Sequence, residues 1–259
     1  MVARVERYTD RHCGPEELLK VHNDSYRLAM ESPAYVNQRP MLAQRLINQF
    51  DARAPAVDRR MAEVLGLLIF GFGGWSIIAA DEITHVQVWL RSDWLNAIRP
   101  GFAAITDLFL YVFYLIFAVL LALGFTSEQA LLRGLVWRYL AAQLIGSVVL
   151  VRVLKMLLGR GRPDSDLPGQ FTGDWGAWTL EASFHSMPSG HSADVFTGAV
   201  LLALVCKRPW LRIVLLSTAV SVAFSRVAVA AHWPSDVLLG ALIGCCCAYA
   251  LVRLYPLQK

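Results

Sequence analysis

Three short stretches of this chain hold side chains that could act together on an anion. Lys155 and Arg162 are seven residues apart, nearly two helical turns, so on a continuous helix both would point the same way. Gly159 and Gly161 lie between them and can break that helix. A guanidinium fork matches the oxygens of a phosphate, and an ammonium adds a point charge. The other reading of the pair is two long cations snorkelling at a membrane boundary, the role assigned to their neighbours Arg152 and Arg160.

The second stretch is Pro188-Ser189-Gly190-His191, where a polar segment gives way to an apolar helix. A helix N-terminus offers free N–H groups and the positive end of a dipole. Gly190 lets an oxygen approach the backbone, Ser189 adds a hydroxyl, and His191 stands within reach of a leaving group; an ordinary N-cap turn is the alternative. The third runs Ser225 to Asp236. His232 and Asp236 are four apart, so one helical turn brings carboxylate and imidazole together. An acid on one ring nitrogen fixes the tautomer and frees the other nitrogen as nucleophile or base. Arg226 supplies a third cation, and Pro234 suits the first turn of the following helix.

The elements that must hold these stretches are membrane helices. The chain is 56% hydrophobic and 17% charged, against about a quarter charged for soluble domains. Its apolar residues fall in blocks near the ~20 residues that a spanning helix needs. Spans are expected at about 63–80, 104–124, 136–158, 191–206, 211–230 and 237–255. The expected fold class is therefore all-α: a six-transmembrane-helix bundle over residues 61–259. Residues 1–60 form a polar, partly amphipathic N-terminal extension, with Leu42, Leu46, Ile47 and Phe50 at helical spacing. Residues 81–100, with Trp89 and Trp94, read as a helix lying on the outer surface. Thr106 and Asp107 fall at the start of the second span, which makes Asp107 a first-turn or capping acid.

Arg53, Arg59 and Arg60 before the first span, and Lys207, Arg208, Arg212, Arg253 and Lys259 later, put both termini in the cytoplasm. The same count puts all three chemical stretches on the outer face, under a loop of about 159–190 rich in Gly, Pro, Asp and Trp. The first residues have no apolar core of signal-peptide type, so insertion by the first span is expected. Cys245, Cys246, Cys247 and Cys206 sit in apolar runs without zinc-site or disulfide spacing. A formal charge of +4 makes no case for nucleic acid.

Lys-x6-Arg-Pro, Pro-Ser-Gly-His and Ser-Arg-x5-His-x3-Asp, in that order, resemble the three-part signature of the type 2 phosphatidic acid phosphatase superfamily. That superfamily also holds vanadium haloperoxidases and bacterial acid phosphatases. Lys155, Arg162, Pro163, Pro188, Ser189, Gly190, His191, Ser225, Arg226, His232 and Asp236 fill every signature position. The resemblance covers about 60–255 and leaves the extension unexplained. It implies that His232 attacks phosphorus, that Asp236 orients it, and that His191 protonates the departing oxygen. Lys155, Arg162, Arg226, Ser189 and the Gly190 amide would hold the phosphoryl oxygens, with no metal ion and no cofactor. His185 lies outside the signature, and is either a head-group contact or a loop residue.

A membrane lipid phosphatase of a bacterial inner membrane, with its active site on the periplasmic side, is the resulting expectation. Undecaprenyl diphosphate is expected ahead of lipid A, because bulky residues in the outer loop narrow the mouth. Lipid A phosphatase or phosphotransferase, and phosphatidylglycerophosphate or phosphatidate phosphatase, remain alternatives. Outside that class stand a transporter and an inactive scaffold homologue. The signature leaves the oligomeric state open.

Overall fold

A computed structural model describes residues 43–78, 82–172 and 181–257. Most of the expected N-terminal extension, including Leu42, and residues 173–180 of the expected outer loop lie outside the described residues. Residues 43–47 are helical. The longer helices are α1 (Ala54–Ile78), α2 (Glu82–Leu90), α3 (Asp93–Thr126), α4 (Ala130–Leu158), α5 (Gly190–Val205), α6 (Pro209–Ala228) and α7 (Pro234–Leu254). A single 3-10 turn, Ala182–Phe184, precedes α5. The described residues form no strand, only isolated bridges.

Four of these helices, α3, α4, α6 and α7, are long and apolar enough to cross a membrane. Their outward faces stay greasy: Leu115 and Val119 on α3, Leu144 and Val148 on α4, and Ile213 and Val220 on α6 are all exposed. Exposed apolar area on that scale marks a surface that meets lipid. Helix α5 is different. It has 16 residues and buries nearly all of them, Val195, Ala199, Val200, Leu201 and Leu204 completely. It packs against α1, α3, α4, α6 and α7, with α7 the most extensive partner. A helix apolar on every face belongs in the middle of a bundle.

The α5–α7 seam is set by two glycines. A Cβ at Gly240 would sit 2.2 Å from the Ser189 carbonyl oxygen, and one at Gly244 would sit 2.5 Å from that of Ala193. Any larger residue would push apart the two helices that carry the second and third chemical stretches.

Two expectations change. Helix α3 begins at Asp93 rather than near 104, so the separate helix before it covers only Glu82–Leu90 and ends at the Arg91–Ser92 turn. Pro100 lies within α3 and forgoes one backbone hydrogen bond there. Thr106 and Asp107 consequently sit deep in α3, and Asp107 is not a capping acid. Thr106 is fully buried, with its Oγ1 2.5 Å from Ser225 Oγ on α6. Secondly, α4 is interrupted by a π-helical segment, Gln143–Leu150. Its wider turns re-aim the last eight residues, Val151–Leu158, on which Lys155 lies.

Candidate active site

Helix α4 stops at Gly159, which takes the left-handed conformation (φ 53°, ψ 47°). A Cβ there would lie 2.4 Å from Thr172 Oγ1, so glycine is required on two counts. Lys155 and Arg162 therefore do not share a helix face. Lys155 is on the last turn of α4, while Arg162 follows in a turn whose backbone is fastened elsewhere. Arg162 N donates to Ser183 O, Gly161 N to Gln170 O and Ser186 N to Arg160 O. These bonds fold the segment after α4 against the segment before α5. The Trp233 indole, fully buried, donates to Gly161 O at 2.8 Å and ties the third stretch to the first.

His232 sits between α6 and α7 and is 3% exposed. Its Nδ1 lies 2.7 Å from the Ser186 carbonyl oxygen. A carbonyl only accepts, so Nδ1 carries the proton and Nε2 keeps its lone pair. Asp236 Oδ2 is 3.8 Å from Nδ1, an electrostatic pairing beyond hydrogen-bond length. The carboxylate's direct partners are others. Oδ2 accepts from Ser186 Oγ and from Trp233 N at 2.9 Å, and Oδ1 accepts from Arg160 Nη1 at 2.6 Å. The bond from Trp233 N closes the first turn of α7, as an acid at N3 does. Ser186 thus stands between acid and imidazole, with its hydroxyl on one and its carbonyl on the other.

Burial pushes the His232 imidazole down to about 4; Asp236 opposes the shift, and Lys155 and Arg226 reinforce it. It is neutral at physiological pH. Lys155 donates to the His185 and Ser186 carbonyls. An ammonium has three protons, which leaves one for a ligand. Lys155, Arg162, Arg226 and His191 all lie within electrostatic reach of one another, and Asp107 faces Arg226 and His191. Ser189 is the N-cap of α5 and spends no side-chain hydrogen bond on the cap. Its Oγ is buried without a partner, as are Nε of Arg162 and Nε of Arg226. Each of the three stretches thus contributes one unpartnered buried donor, a group that ordinarily finds an acceptor.

Residues 135–259 match the family model of the PAP2 superfamily. This stretch is a PAP2 superfamily domain. The match opens within α4 and takes in all three chemical stretches. Among curated proteins, 124 residues are 34% identical to a lipid A 1-phosphatase of Rhizobium etli, covering 46% of this chain and 50% of that protein. A lipid A 1-phosphatase of Rhizobium johnstonii is 34% identical over 120 residues, 46% of this chain and 48% of its own length. An undecaprenyl-diphosphatase of Sulfolobus acidocaldarius is 41% identical over 78 residues, 29% of this chain and 37% of its own. The chain thus spans about half the length of the two lipid A 1-phosphatases. No solved structure matches it.

Every signature residue named from sequence is drawn to this one end of the PAP2 domain. Two residues that sequence reasoning missed touch Asp236 directly. Arg160, assigned to snorkelling, is instead 5% exposed and points inward. Its position between Gly159 and Gly161, where the chain turns rather than continues as helix, was the available sign. Ser186, two residues before Pro188, carried none. A third, Glu82 on α2, lies outside the family match and reaches Arg160 Nη2 at 3.1 Å.

Proposed function

We propose that this protein hydrolyses the phosphate ester or diphosphate of a membrane lipid, with His232 as nucleophile. The observation that carries the reading is the set of unpartnered buried donors, Ser189 Oγ, Arg162 Nε and Arg226 Nε, gathered beside an imidazole whose Nε2 is free. Preorganised donors aimed where charge develops supply most of the acceleration in many such reactions.

The steps follow from the groups present. Phosphoryl oxygens bind Arg162, Arg226, Lys155, Ser189 and the Gly190 amide. Nε2 of His232 attacks phosphorus, while Nδ1–H stays on the Ser186 carbonyl and Asp236 balances the charge that builds on the ring. His191, at the N-terminus of α5, protonates the departing oxygen. Water then attacks the phosphohistidine, with His191 as base, and releases phosphate. Three cationic side chains carry the charge that a metal would otherwise carry.

Six crossings, α1 and α3 to α7, with both termini cytoplasmic, would open the site at the outer face of a bacterial inner membrane. Cysteine labelling at Leu167, an exposed loop position, and at Tyr255, past α7, tests this on a background without native cysteines. Label from outside should reach position 167 and not position 255; the reverse pattern overturns the topology.

The substrate is proposed from the relatives. The longer matches are to proteins named for lipid A, and the shorter to one named for undecaprenyl diphosphate. That length favours lipid A, the reverse of the order expected from the bulky outer loop. Phosphate release by the purified protein decides, with lipid A, undecaprenyl diphosphate and phosphatidic acid at matched detergent ratio and His232→Ala as control. Release from none of them by the wild type would refute the reading.

A further inference from the structure

The proposed mechanism gives no role to the buried ion pairs behind Asp236. Arg160 is clamped between two carboxylates. Its Nη1 donates to Asp236 Oδ1 and to Ser235 Oγ, both at 2.6 Å. Its Nη2 donates to Glu82 Oε2 at 3.1 Å. The guanidinium carbon lies 5.5 Å from the ring centres of both Trp233 and Phe171. Glu82 in turn accepts the Ser235 backbone N–H at 2.8 Å and the Ser235 hydroxyl. It therefore sits at the positive end of α7, a favourable place for an acid. Both members of the Arg160–Glu82 pair are shielded from water, at 7% and 14% side-chain exposure.

We propose that Arg160 and Glu82 are positioning residues for His232, acting through Asp236. The proposal rests on His232 being the reactive imidazole. One cation between two carboxylates leaves the cluster with a single net negative charge, and Asp236 is its member nearest the ring. The other charges facing His232 are Lys155 on α4 and Arg226 on α6. Arg162, after α4, and His191, at the start of α5, lie around these two, and His185 lies beside Lys155. These are all cations or imidazoles; a further acid, Asp107 on α3, faces Arg226 and His191 rather than the ring itself. The cluster behind Asp236 is the negative charge set directly against the ring and draws a proton onto it. Arg160 sets how strongly, because it offsets one of the two carboxylates. Its hydrogen bond to Oδ1 also fixes the plane of the carboxylate, so that Oδ2 stays on Ser186 and Trp233.

The sign of the effect is definite. Without Arg160, two carboxylates face His232 uncompensated and the protonated imidazole gains stability. Without Glu82, Arg160 offsets Asp236 alone, the cluster falls from one net negative charge to none, and the neutral imidazole gains. A residue that merely holds the fold would move neither.

The test is an NMR titration of the full chain in detergent with 15N-labelled histidine. The His232 ring nitrogens are assigned by their loss in His232→Asn. Arg160→Gln should raise the His232 midpoint by about one unit or more, the size of effect a charge at this range exerts. Arg160→Lys, which keeps the charge, should leave it near the wild-type value. Adding Glu82→Gln to Arg160→Gln should bring the midpoint at least half of the way back. Should Arg160→Gln fail to fold, Glu82→Gln alone decides: a lowered midpoint supports the proposal, and an unchanged or raised one overturns it. A folded Arg160→Gln protein with the wild-type midpoint also overturns it. Neither result bears on the phosphatase reading, which the turnover of His232→Ala decides separately.

Discussion

The two ends of α5 each hold a buried arginine beside an aspartate, and the two sites do different work. At the C-terminal end, Arg60 is 4% exposed and its Nη1 donates to the Leu204 and Asp51 carbonyls at 2.6 and 2.8 Å. The carboxylate of Asp51 is 3.9 Å from Arg60 and belongs mainly to Arg53, which it meets at 2.8 and 2.9 Å. Arg53 holds that carboxyl well below the usual carboxylate range. The backbone joins in, with Asp51 N donating to Val205 O and Lys207 N to Gln49 O. Arg60 thus caps the carbonyl end of α5 and fastens the chain before α1 to it. At the other end, Arg160 is as buried, but both of its charged partners are carboxylates, and one of them faces the imidazole. Burial does not separate the two arginines. What the guanidinium is aimed at does.

Substitutions at the two ends should separate turnover from stability. The largest effect is expected from His232→Ala, which should remove turnover by about four orders of magnitude or more, as loss of a nucleophile does, while vanadate still binds and the melting temperature holds. Asp236→Asn should cost less, because the nucleophile and its Ser186 bond remain. If His232→Ala instead melts early and its folded fraction turns over normally, the site end is structural. At the other end, Arg60→Gln should cost about 1–3 kcal/mol of stability, the scale for leaving buried carbonyls without their donor. Its kcat per folded molecule should match wild type; a loss of kcat at unchanged Tm would erase the contrast.

Gly240→Ala tests the seam through which α7 positions the second stretch. The Cβ would meet the Ser189 carbonyl and should cost about 1–3 kcal/mol, the range for overpacking, with a drop in kcat because Ser189 is displaced. Gly101→Ala is the smallest effect. A Cβ there meets nothing within 4 Å, so only helix propensity acts, a gain of up to about 1 kcal/mol.

The site end also carries a pH signature. An unperturbed imidazole titrates near 6.5, and burial lowers that of His232 to about 4. The folded protein resists the proton that the unfolded chain accepts, so the His232 contribution to stability falls as pH drops from about 6.5 to about 4. In the proposed mechanism turnover needs the neutral ring. The acid limb of kcat/KM should therefore lie near pH 4, and a limb near 6.5 would show an imidazole open to water. Asp51 shifts in the same direction for a different reason: Arg53 favours its charged form, so its folded pKa is depressed and its contribution, present above the ordinary Asp value, is lost as pH falls below it.

The contrast also shows what a sequence can and cannot disclose. The residues named from the three stretches were legible because each motif is local, and the loop-to-helix changes that aim them are written in Gly159, Gly190 and Pro234. The reach of α3 back to Asp93 was not, because Trp89 and Trp94 read as interface residues of one surface helix, whereas α3 begins between them and takes in Trp94. The π segment of α4 leaves no mark in composition. Arg160 looked like a snorkelling cation because its partners, Glu82 and Asp236, lie more than seventy residues away on either side. Ser186 acts on Nδ1 through its carbonyl, a group that every residue has and no spacing reveals.

The most direct measurement is a rapid quench with a substrate labelled in its transferred phosphate. A labelled protein adduct, stable in base and labile in acid, is expected within the first turnover, mapping to the peptide that contains His232 and missing from His232→Ala. EDTA should leave both the adduct and steady-state turnover unchanged. An adduct that resists acid, one on any other residue, or full turnover by His232→Ala would contradict the phosphohistidine mechanism outright.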